Sequence, residues 1–406
     1  MTSVDSSDIH AARPAVERIA QRTPLLSTRT LSLRAGGTLA LKAENLQRTG
    51  SFKIRGAAAK LDALGVDGRA NGVVAASAGN HAQSLAAAAN ALGVHCEVFV
   101  PADAPIAKRD AAESNGATVH VGGASLTECL EAAAERSRTG GLAFVHPFDD
   151  PDVVAGQGTL GLELLEEVED LARVIVPVGG GGLAAGVAIA VKSARPEVEV
   201  IGVQAAACAP YPESLRLGEP AAVDSSLTIA DGIAVKRPGG LTLELLSRWI
   251  DGIVLVEENE IAESMFVLME RCKLVVEGAG AVGVAALLSG RVQPAVDGVT
   301  VAVLSGGNVD ASLLASIARR HETLAGRRMV LLTRVGDRPG SLAALLQRVA
   351  ATGANVVDVG HVREGLDLHV RETAIELVLE TRGAEHAERV LEALADSGYG
   401  AQVITT

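Results

Sequence analysis

Short apolar runs alternate with alanine- and leucine-rich stretches of helical length over about the first three hundred residues. Apolar runs bounded by glycine or proline are typical of strands buried on both faces. The predicted strands are 72–76, 96–100, 173–178, 198–203 and 300–304, and the clearest helices are 83–92 and 183–192. Strands that alternate with helices indicate an α/β fold with parallel sheets covered on both faces.

The pattern changes after Arg320. The next residues are polar and few, so we predict a linker at 323–328. Beyond it the pattern predicts strand 329–334, helix 342–351, strands 355–362 and 373–381, helix 385–395 and strand 401–404. This βαββαβ order is the ferredoxin-like unit. The sequence therefore predicts a first domain at 1–322 and a different, smaller one at 329–406.

Composition narrows the function classes. The 406 residues carry a net charge of −13, which argues against nucleic acid as a partner because phosphate contacts need clustered lysine and arginine. The four cysteines are far apart in sequence, so we expect a reducing, cytoplasmic setting and neither a disulfide framework nor a metal pair. Proline and four glycines interrupt the uncharged run 174–191, which we interpret as strand, loop and helix and not as a membrane span.

A run of four glycines follows the predicted strand 173–178 and precedes a helix. Glycines at such a position let backbone N–H groups converge at a helix N-terminus, where an anion binds well. No Gly-Lys-Ser/Thr follows, so the loop is not a P-loop. A single phosphate monoester suits it better than a nucleotide.

Two other strand–loop–helix segments carry polar side chains. Ser77-Ala78-Gly79-Asn80-His81 suits a carboxylate or a ring hydroxyl, although Ser77 or Asn80 would by itself more often be a helix cap. Ser305, in Ser305-Gly306-Gly307-Asn308, offers one neutral hydrogen bond to a ring nitrogen.

Lys53 lies between Phe52 and Ile54. A lysine that loses solvent has a lowered pKa and can form a Schiff base with an aldehyde. An exposed lysine with inward-pointing neighbours is the commoner explanation of the hexapeptide alone. With the three loops, however, Lys53 completes what pyridoxal phosphate needs: an amine, a phosphate seat and a partner for the pyridine nitrogen.

These motifs resemble those of threonine dehydratases (threonine ammonia-lyases), pyridoxal-phosphate enzymes of the tryptophan-synthase-β-like fold. The matching segments keep the family order, span roughly residues 15 to 320, and are 44–57, 77–83, 177–183, 230–232, 277–280 and 305–308. The resemblance implies a two-lobed fold of type II, with a smaller lobe inserted at roughly 45–145, and pyridoxal 5′-phosphate as cofactor.

The resemblance also implies residue roles. Lys53 would form the Schiff base and then remove the Cα proton, Phe52 would lie against the ring, Asn80 would bind the 3′-hydroxyl and Ser305 the pyridine nitrogen. The phosphate would be held by Gly179, Gly180, Gly181, Gly182 and the Leu183 amide. The substrate carboxylate would be held by Ser77, Ala78, Gly79, Asn80 and His81.

The implied reaction converts L-threonine, and more weakly L-serine, to a 2-oxo acid and ammonia. Related serine racemases place a second serine where this chain has Ala78, so elimination is favoured over racemisation. Their carboxylate metal site follows a Gly-Val-Glu strand end. Here the strand ends Gly202-Val203-Gln204, so we predict no metal of that type.

The C-terminal domain resembles an ACT domain. The segment 334–342 is similar to the effector loop of that family, which implies control by isoleucine or valine and a role in isoleucine biosynthesis, with a degradative role left open. The candidate effector residues are Gly336, Asp337, Arg338, Pro339, Gly340, Ser341 and Leu342. We also expect a homo-oligomer, a dimer or a tetramer.

Three other functions remain open at this stage. A β-replacement synthase uses the same cofactor loops, and a serine or threonine racemase-dehydratase shares the fold. An amino-acid-binding regulator without catalysis is the third possibility, and the intact Lys53 and Gly179–Gly182 argue against it.

Overall fold

The alternating apolar runs of the first three hundred residues form two parallel sheets. The computed structural model describes residues 3–104, 106–224, 226–363 and 368–404. The chain forms two units, Met1–Val309 and Asp310–Thr406. The predicted α/β class with parallel sheets is confirmed.

The larger sheet of the first unit has the strand order β1-β2-β10-β7-β8-β9. Only the edge strand β1 is antiparallel to its neighbour. Its strands are β1 (Leu25–Ser27), β2 (Leu39–Lys42), β7 (Leu171–Pro177), β8 (Glu199–Ala205), β9 (Gly252–Val256) and β10 (Val299–Val303). The smaller sheet, β5-β4-β3-β6, is entirely parallel. Its strands are β3 (Val73–Ala76), β4 (Cys96–Val100), β5 (Thr118–Val121) and β6 (Ala143–Phe144).

Helices connect and cover these strands, as crossover connections between parallel strands require. They are α1 (Ser6–Ile19), α2 (Arg29–Ala35), α3 (Lys53–Ala63), α4 (Gly65–Gly68), α5 (Asn80–Ala91), α6 (Ile106–Ser114), α7 (Leu126–Gly140), α8 (Pro151–Glu167), α9 (Gly182–Ala194), α10 (Tyr211–Leu217), α11 (Gly240–Trp249), α12 (Glu258–Val267) and α13 (Gly278–Leu288). Short 3₁₀ helices at Glu44–Leu46, Ala206–Cys208 and Asp231–Ile233 and a π-helix at Leu268–Cys272 complete this unit.

The core of the larger sheet depends on close helix packing. Helices α8 and α9 meet at Gly158 and Gly186, where a Cβ on Gly186 would lie 2.4 Å from the Val154 carbonyl oxygen. The run 174–191, which raised the membrane question, is strand β7, the glycine loop and helix α9, as predicted. Within the described residues, no helix has the length and apolar character to cross a membrane.

The second unit contains the predicted βαββαβ order. After α14 (Ala311–Leu324) come β11 (Arg328–Gly336), α15 (Ser341–Ala351), β12 (Asn355–Val362), β13 (Glu372–Glu380), α16 (Ala384–Asp396) and β14 (Ala401–Val403). The strands form an antiparallel sheet in the order β12-β13-β11-β14. Leu331, Leu345, Leu377 and Leu394 lie in its apolar core.

The boundary between the domains differs from the predicted one. Helix α14 continues to Leu324 and β11 begins at Arg328, so only 325–327 of the predicted linker 323–328 lie outside an element. The polar composition that indicated a linker belongs to an amphipathic helix of exposed and half-buried residues, of which Ile317 is the buried one. This helix belongs to the second unit and not, as predicted, to the first domain.

Candidate active site

Lys53 is the first residue of α3. Its Nζ donates a hydrogen bond to the Pro147 carbonyl oxygen (2.9 Å) and lies 5.2 Å from the centroid of the Phe52 ring. Loss of solvent lowers the pKa of Lys53 to about 8, and the buried carboxylate of Glu277 opposes part of that shift. A larger fraction of this amine is therefore neutral at physiological pH than of an ordinary lysine.

The four glycines form a bare backbone turn between β7 and α9. Gly181 has φ +92°, a conformation that favours glycine. A Cβ on Gly180 would lie 2.1 Å from the Phe148 ring, and one on Gly181 would lie 2.0 Å from the Tyr211 hydroxyl. Any larger residue would displace these aromatic side chains, so the turn presents only backbone at the start of a 13-residue helix. Backbone N–H groups at a helix N-terminus suit a phosphate.

A hydrogen-bonded network of Tyr211, Thr242 and Asp149 supports this turn, and the sequence analysis did not predict it. The buried Tyr211 hydroxyl donates to the Gly180 carbonyl oxygen (2.9 Å) and lies 3.1 Å from Thr242 Oγ1. The Asp149 carboxylate accepts from the backbone N–H of Thr242 (3.0 Å) and Gly240 (3.1 Å). This network therefore holds the glycine turn through its Gly180 carbonyl and leaves the N–H groups of the turn uninvolved.

Residues 146–150 link the amine to the glycine turn. Pro147 accepts the hydrogen bond from Lys53, and Phe148 packs against Gly180. The ring of His146 holds the segment, because its Nδ1 accepts from the Asp149 N–H (2.8 Å). The sequence analysis did not predict a role for this segment. Its Asp-Asp-Pro sequence indicates a helix start. Its contact with Lys53, however, is made by a backbone carbonyl, which has no sequence signature.

The Ser77–His81 loop leads from β3 into α5. Ser77 Oγ accepts from the Gly79 N–H (3.1 Å), and Ser77, Ala78, Gly79 and Asn80 are all half-buried. His81 differs, because its ring is buried and its Nε2 lies 3.0 Å from the Val145 carbonyl oxygen. Burial, followed by the nearby Lys53 charge, lowers the pKa of His81 to about 3. The imidazole of His81 is therefore neutral, and its hydrogen bond to Val145 links α5 to the residue after β6. Only the backbone N–H of His81 is then available to a ligand.

Ser305 is buried just after β10, and its carbonyl oxygen accepts from the Phe52 N–H (3.1 Å). The next residue, Gly306, forms a β-bridge with Ser51. The loop that carries Ser305 is thus joined directly to the residues that precede Lys53. Ser51 and Gly306, more than two hundred residues apart in the sequence, meet here.

Glu277 is a further titratable residue near Lys53 to which the sequence analysis assigned no role. It is 6% exposed, and its Oε1 accepts from Asn80 Nδ2 (2.8 Å). Burial and the like charge of Asp231 raise the pKa of Glu277 to about 7. The motif at 277–280 was visible, but a glutamate before a helix is ordinarily explained by the helix dipole.

The site fits pyridoxal phosphate on its own geometry. It combines a half-buried amine, a turn whose bare backbone any Cβ would obstruct, and polar groups at the start of α5. Where racemases have their metal carboxylate, Gln204 donates to the Val178 carbonyl oxygen (3.2 Å) and accepts from the Tyr211 N–H (3.1 Å). The described residues contain no group of three metal-ligating side chains.

The predicted effector loop in the second unit is exposed from Asp337 to Gly340. Asp337 forms an ion pair with Arg363 (2.7 Å), which lowers the pKa of Asp337. Gly340, at φ +90°, is the N-cap of α15. The described residues thus form a strand, a glycine turn and a helix in the predicted order.

Comparison with known proteins agrees with this geometry. Residues 16–307 match the family model described as pyridoxal-phosphate dependent enzyme. An L-threonine ammonia-lyase of Thermotoga maritima is 45% identical over 398 residues, 98% of each chain.

Two solved structures extend the comparison. The processed form of threonine deaminase isoform 2 from Solanum lycopersicum superposes with a TM-score of 0.72 and 34% identity, covering 78% of this chain and 94% of that one. Maize serine racemase superposes with a TM-score of 0.75 and 30% identity, covering 80% of this chain and 99% of that one. This chain belongs to the family of pyridoxal-phosphate dependent enzymes.

Proposed function

We propose that the protein is a threonine ammonia-lyase, which eliminates the β-hydroxyl of L-threonine, and less efficiently that of L-serine, to give 2-oxobutanoate or pyruvate and ammonia. The observation that carries the proposal is the half-buried Lys53 amine, with its pKa near 8, between the glycine turn and the Ser77–His81 loop. The similarity to the Thermotoga maritima enzyme over nearly the whole chain supports the same activity.

Each group has a task in this scheme. Bound pyridoxal phosphate supplies an electron-withdrawing ring that acidifies the Cα proton of the amino acid. Lys53 removes that proton, which its lowered pKa allows at neutral pH. The N–H groups of 179–183 bind the phosphate, those at the start of α5 bind the substrate carboxylate, and Asn80 and Ser305 bind polar atoms of the ring.

Ala78 favours elimination over racemisation. Racemisation requires a second group to return a proton on the opposite face of Cα. The methyl group of Ala78 packs against the apolar core of the small sheet and carries no proton to donate. Ala78 therefore stands where racemases have a serine and cannot transfer a proton. Lys53 remains as the proposed base.

The test is a steady-state assay of the purified protein with L-threonine and L-serine. We expect a 2-oxo acid and ammonia in equal amounts, little D-amino acid, and no coupled product when a thiol nucleophile is added. Lys53→Ala should lose both this yield and the visible absorbance of the bound coenzyme. Lys60→Ala, on the same helix but paired with Asp150 and Asp152, is the matched control and should keep both. Normal turnover by Lys53→Ala would refute the scheme.

We further propose that the second unit is an ACT domain that mediates control by isoleucine or valine, in a homo-oligomer of two or four chains. Its βαββαβ order and the segment 336–342, which is exposed from Asp337 to Gly340 and includes the glycine N-cap of α15, support this. We expect either amino acid to change turnover at subsaturating L-threonine, and deletion of 329–406 to abolish that response. A response that survives the deletion would refute the assignment.

A further inference from the structure

A chain of three side chains fixes the amide of Asn80. Asn80 Nδ2 donates to Glu277 Oε1 (2.8 Å), and Asn80 Oδ1 accepts from Asn308 Nδ2 (2.8 Å). Asn308 Nδ2 also donates to the Thr49 carbonyl oxygen (2.8 Å). The chain therefore runs from the segment before Lys53, through the loop after β10 and the start of α5, to the start of α13.

Both ends of this chain accept hydrogen bonds, the Thr49 carbonyl always and Glu277 in its ionised form. A backbone carbonyl has no proton, and an ionised carboxylate has none either. Because the Thr49 carbonyl can only accept, the Asn308 NH₂ group must face it as donor. The same NH₂ group then needs an acceptor on Asn80, which is Oδ1. The NH₂ group of Asn80 is thereby turned toward Glu277, and a flipped amide would oppose two donors or two acceptors. Of the two N–H bonds on Asn80 Nδ2, Glu277 takes one.

The contact is built into the packing around it. Glu277 donates its backbone N–H to the Gly306 carbonyl oxygen (3.1 Å). A Cβ on Gly306 would lie 2.3 Å from Glu277 Oε1 and 3.2 Å from Asn80 Nδ2. Only glycine leaves room for the carboxylate and the amide to meet here, and the loop that seats Glu277 also carries Asn308.

We infer that Glu277 is a positioning residue that holds the Asn80 amide so that its second N–H serves as the donor to the 3-hydroxyl oxygen of the coenzyme. The inference rests on the proposed function, in which Asn80 binds the ring. The phenolic oxygen of such a ring, when ionised, accepts hydrogen bonds only, so an amide with fixed direction binds it better than one free to flip.

The charges around Glu277 agree with this role. Burial and the charge of Asp231 disfavour the carboxylate of Glu277, whereas the Asn80 hydrogen bond and the charges of Lys108 and Lys53 favour it. Lys108 also pairs with Asp231 (2.7 Å), which reduces the repulsion. The Asn80 contact thus stabilises the accepting form of Glu277.

The experiment compares holoenzymes carrying Glu277→Ala, Asn80→Ala, both changes, and Glu277→Gln. The readout is the apparent dissociation constant of pyridoxal phosphate, from the loss of protein-bound absorbance on serial dilution. We expect Glu277→Ala and Asn80→Ala each to weaken binding about tenfold, the size of one lost hydrogen bond. The double variant should match Asn80→Ala alone, because the two act through one contact. Glu277→Gln should stay within about threefold of the wild type, since its carbonyl still accepts.

Three results would overturn the inference: factors that multiply in the double variant, wild-type binding by Glu277→Ala, or Glu277→Gln as weak as Glu277→Ala, which would indicate charge alone. If Glu277→Ala does not fold, Asn308→Ala breaks the same chain from its other end, and wild-type binding by that variant counts equally against it. Glu257→Ala, which removes the N-cap glutamate of α12, is the control. A wild-type protein without bound coenzyme or lyase activity would instead refute the proposed function.

Discussion

The first turn of helix α3 carries two cations, Lys53 and Arg55, that are both withdrawn from water but have opposite surroundings. The Arg55 guanidinium is 1% exposed and contacts carboxylate oxygens of Glu44 and Glu163, each at 2.7 Å. Lys53, two residues earlier, donates instead to the Pro147 carbonyl. The contacting carboxylates stabilise the charged form of Arg55. Burial destabilises the charged form of Lys53, whose contact is a neutral carbonyl.

The pKa values of the two sites follow from this difference. Burial alone would lower the pKa of Arg55, but the contacting Glu44 and Glu163 outweigh it and raise that pKa. Burial alone would raise the pKa of Glu44, and Arg55 lowers it instead. Around Lys53 burial prevails, and the pKa values of Lys53 and Glu277 move toward each other, to about 8 and about 7. Direct pairing thus preserves ionised groups, while burial without it produces groups that titrate near neutrality.

The paired site, which is Arg55 with Glu44 and Glu163, also holds the reactive site around Lys53 in place. Lys42, fully buried on β2, bridges Glu163 (2.7 Å) and Glu167 (2.9 Å) of α8. Together with Arg55 these ion pairs tie β2, α3 and α8 to one another. The start of α3, where Lys53 lies, is therefore held by charges that take no part in the chemistry.

The largest expected effect separates the two sites by function. Lys53→Ala should reduce threonine deamination at least about a thousandfold, as loss of a central catalytic group does. Its stability without coenzyme should equal or exceed that of the wild type, because an amine that is costly to bury has been removed. Product assays and urea unfolding of coenzyme-free protein measure the two quantities. A large loss of stability would mean that the Lys53 amine is structural.

Arg55→Met is the converse change. It leaves Glu44 and Glu163 without their contacting cation, which costs about 3–5 kcal/mol for a buried pair. The exposed pair Arg34–Glu263 (2.6 Å) is the matched control, and Arg34→Met should cost at most about 1 kcal/mol. Urea unfolding compares the two. Equal stabilities would show that the buried pair is no stronger than a surface one.

Gly180→Ala should weaken coenzyme binding and leave the pKa of Lys53 nearly unchanged. The added Cβ would lie 2.1 Å from the Phe148 ring, and overpacking of this kind costs about 1–3 kcal/mol. Gly122→Ala, where a Cβ meets nothing within 4 Å, is the control and should bind normally. Titration with pyridoxal phosphate measures both. Undiminished binding by Gly180→Ala would show that the turn adapts to a side chain.

The sequence predicted the reactive site better than the paired one. The turn at 179–182 and the loop at 77–81 stand out because glycine and small polar residues follow apolar strands, and such loops meet at the carboxyl ends of parallel strands. Arg55 and Lys42 are invisible by the same reasoning, because a charged residue in a helix or strand is ordinarily exposed. Their burial depends on Glu163 and Glu167, more than a hundred residues away.

Contacts made by backbone atoms set a second limit. The carbonyl of Pro147 that accepts from Lys53 has no sequence signature. Glu277 was part of a recognised motif, yet its role depends on Asn80, Gly306 and Asn308 meeting it in space. Local patterns therefore predict which loops meet, and not which polar groups they bury.

The smallest expected effect concerns the dependence of stability on pH. The folded pKa of Glu277 is about 7 against an ordinary 4.5, so between these values the folded protein keeps a proton that the unfolded chain has released. Stability contributed by this group is therefore lost as the pH rises through that window. We expect coenzyme-free wild type to lose on the order of 2 kcal/mol relative to Glu277→Gln between pH 5 and 8.

Lys53 should act in the opposite sense. Its folded pKa is about 8 against 10.5, so above pH 8 the unfolded chain binds the extra proton and stability rises with pH. Lys53→Met should lack this rise, whereas Arg34→Met, which alters only an exposed pair, should keep both trends. Urea unfolding at a series of pH values would measure them. If Glu277→Gln and Lys53→Met both gave the wild-type profile, the two groups would be ionised by contact after all, and the reactive site would not differ from the paired one.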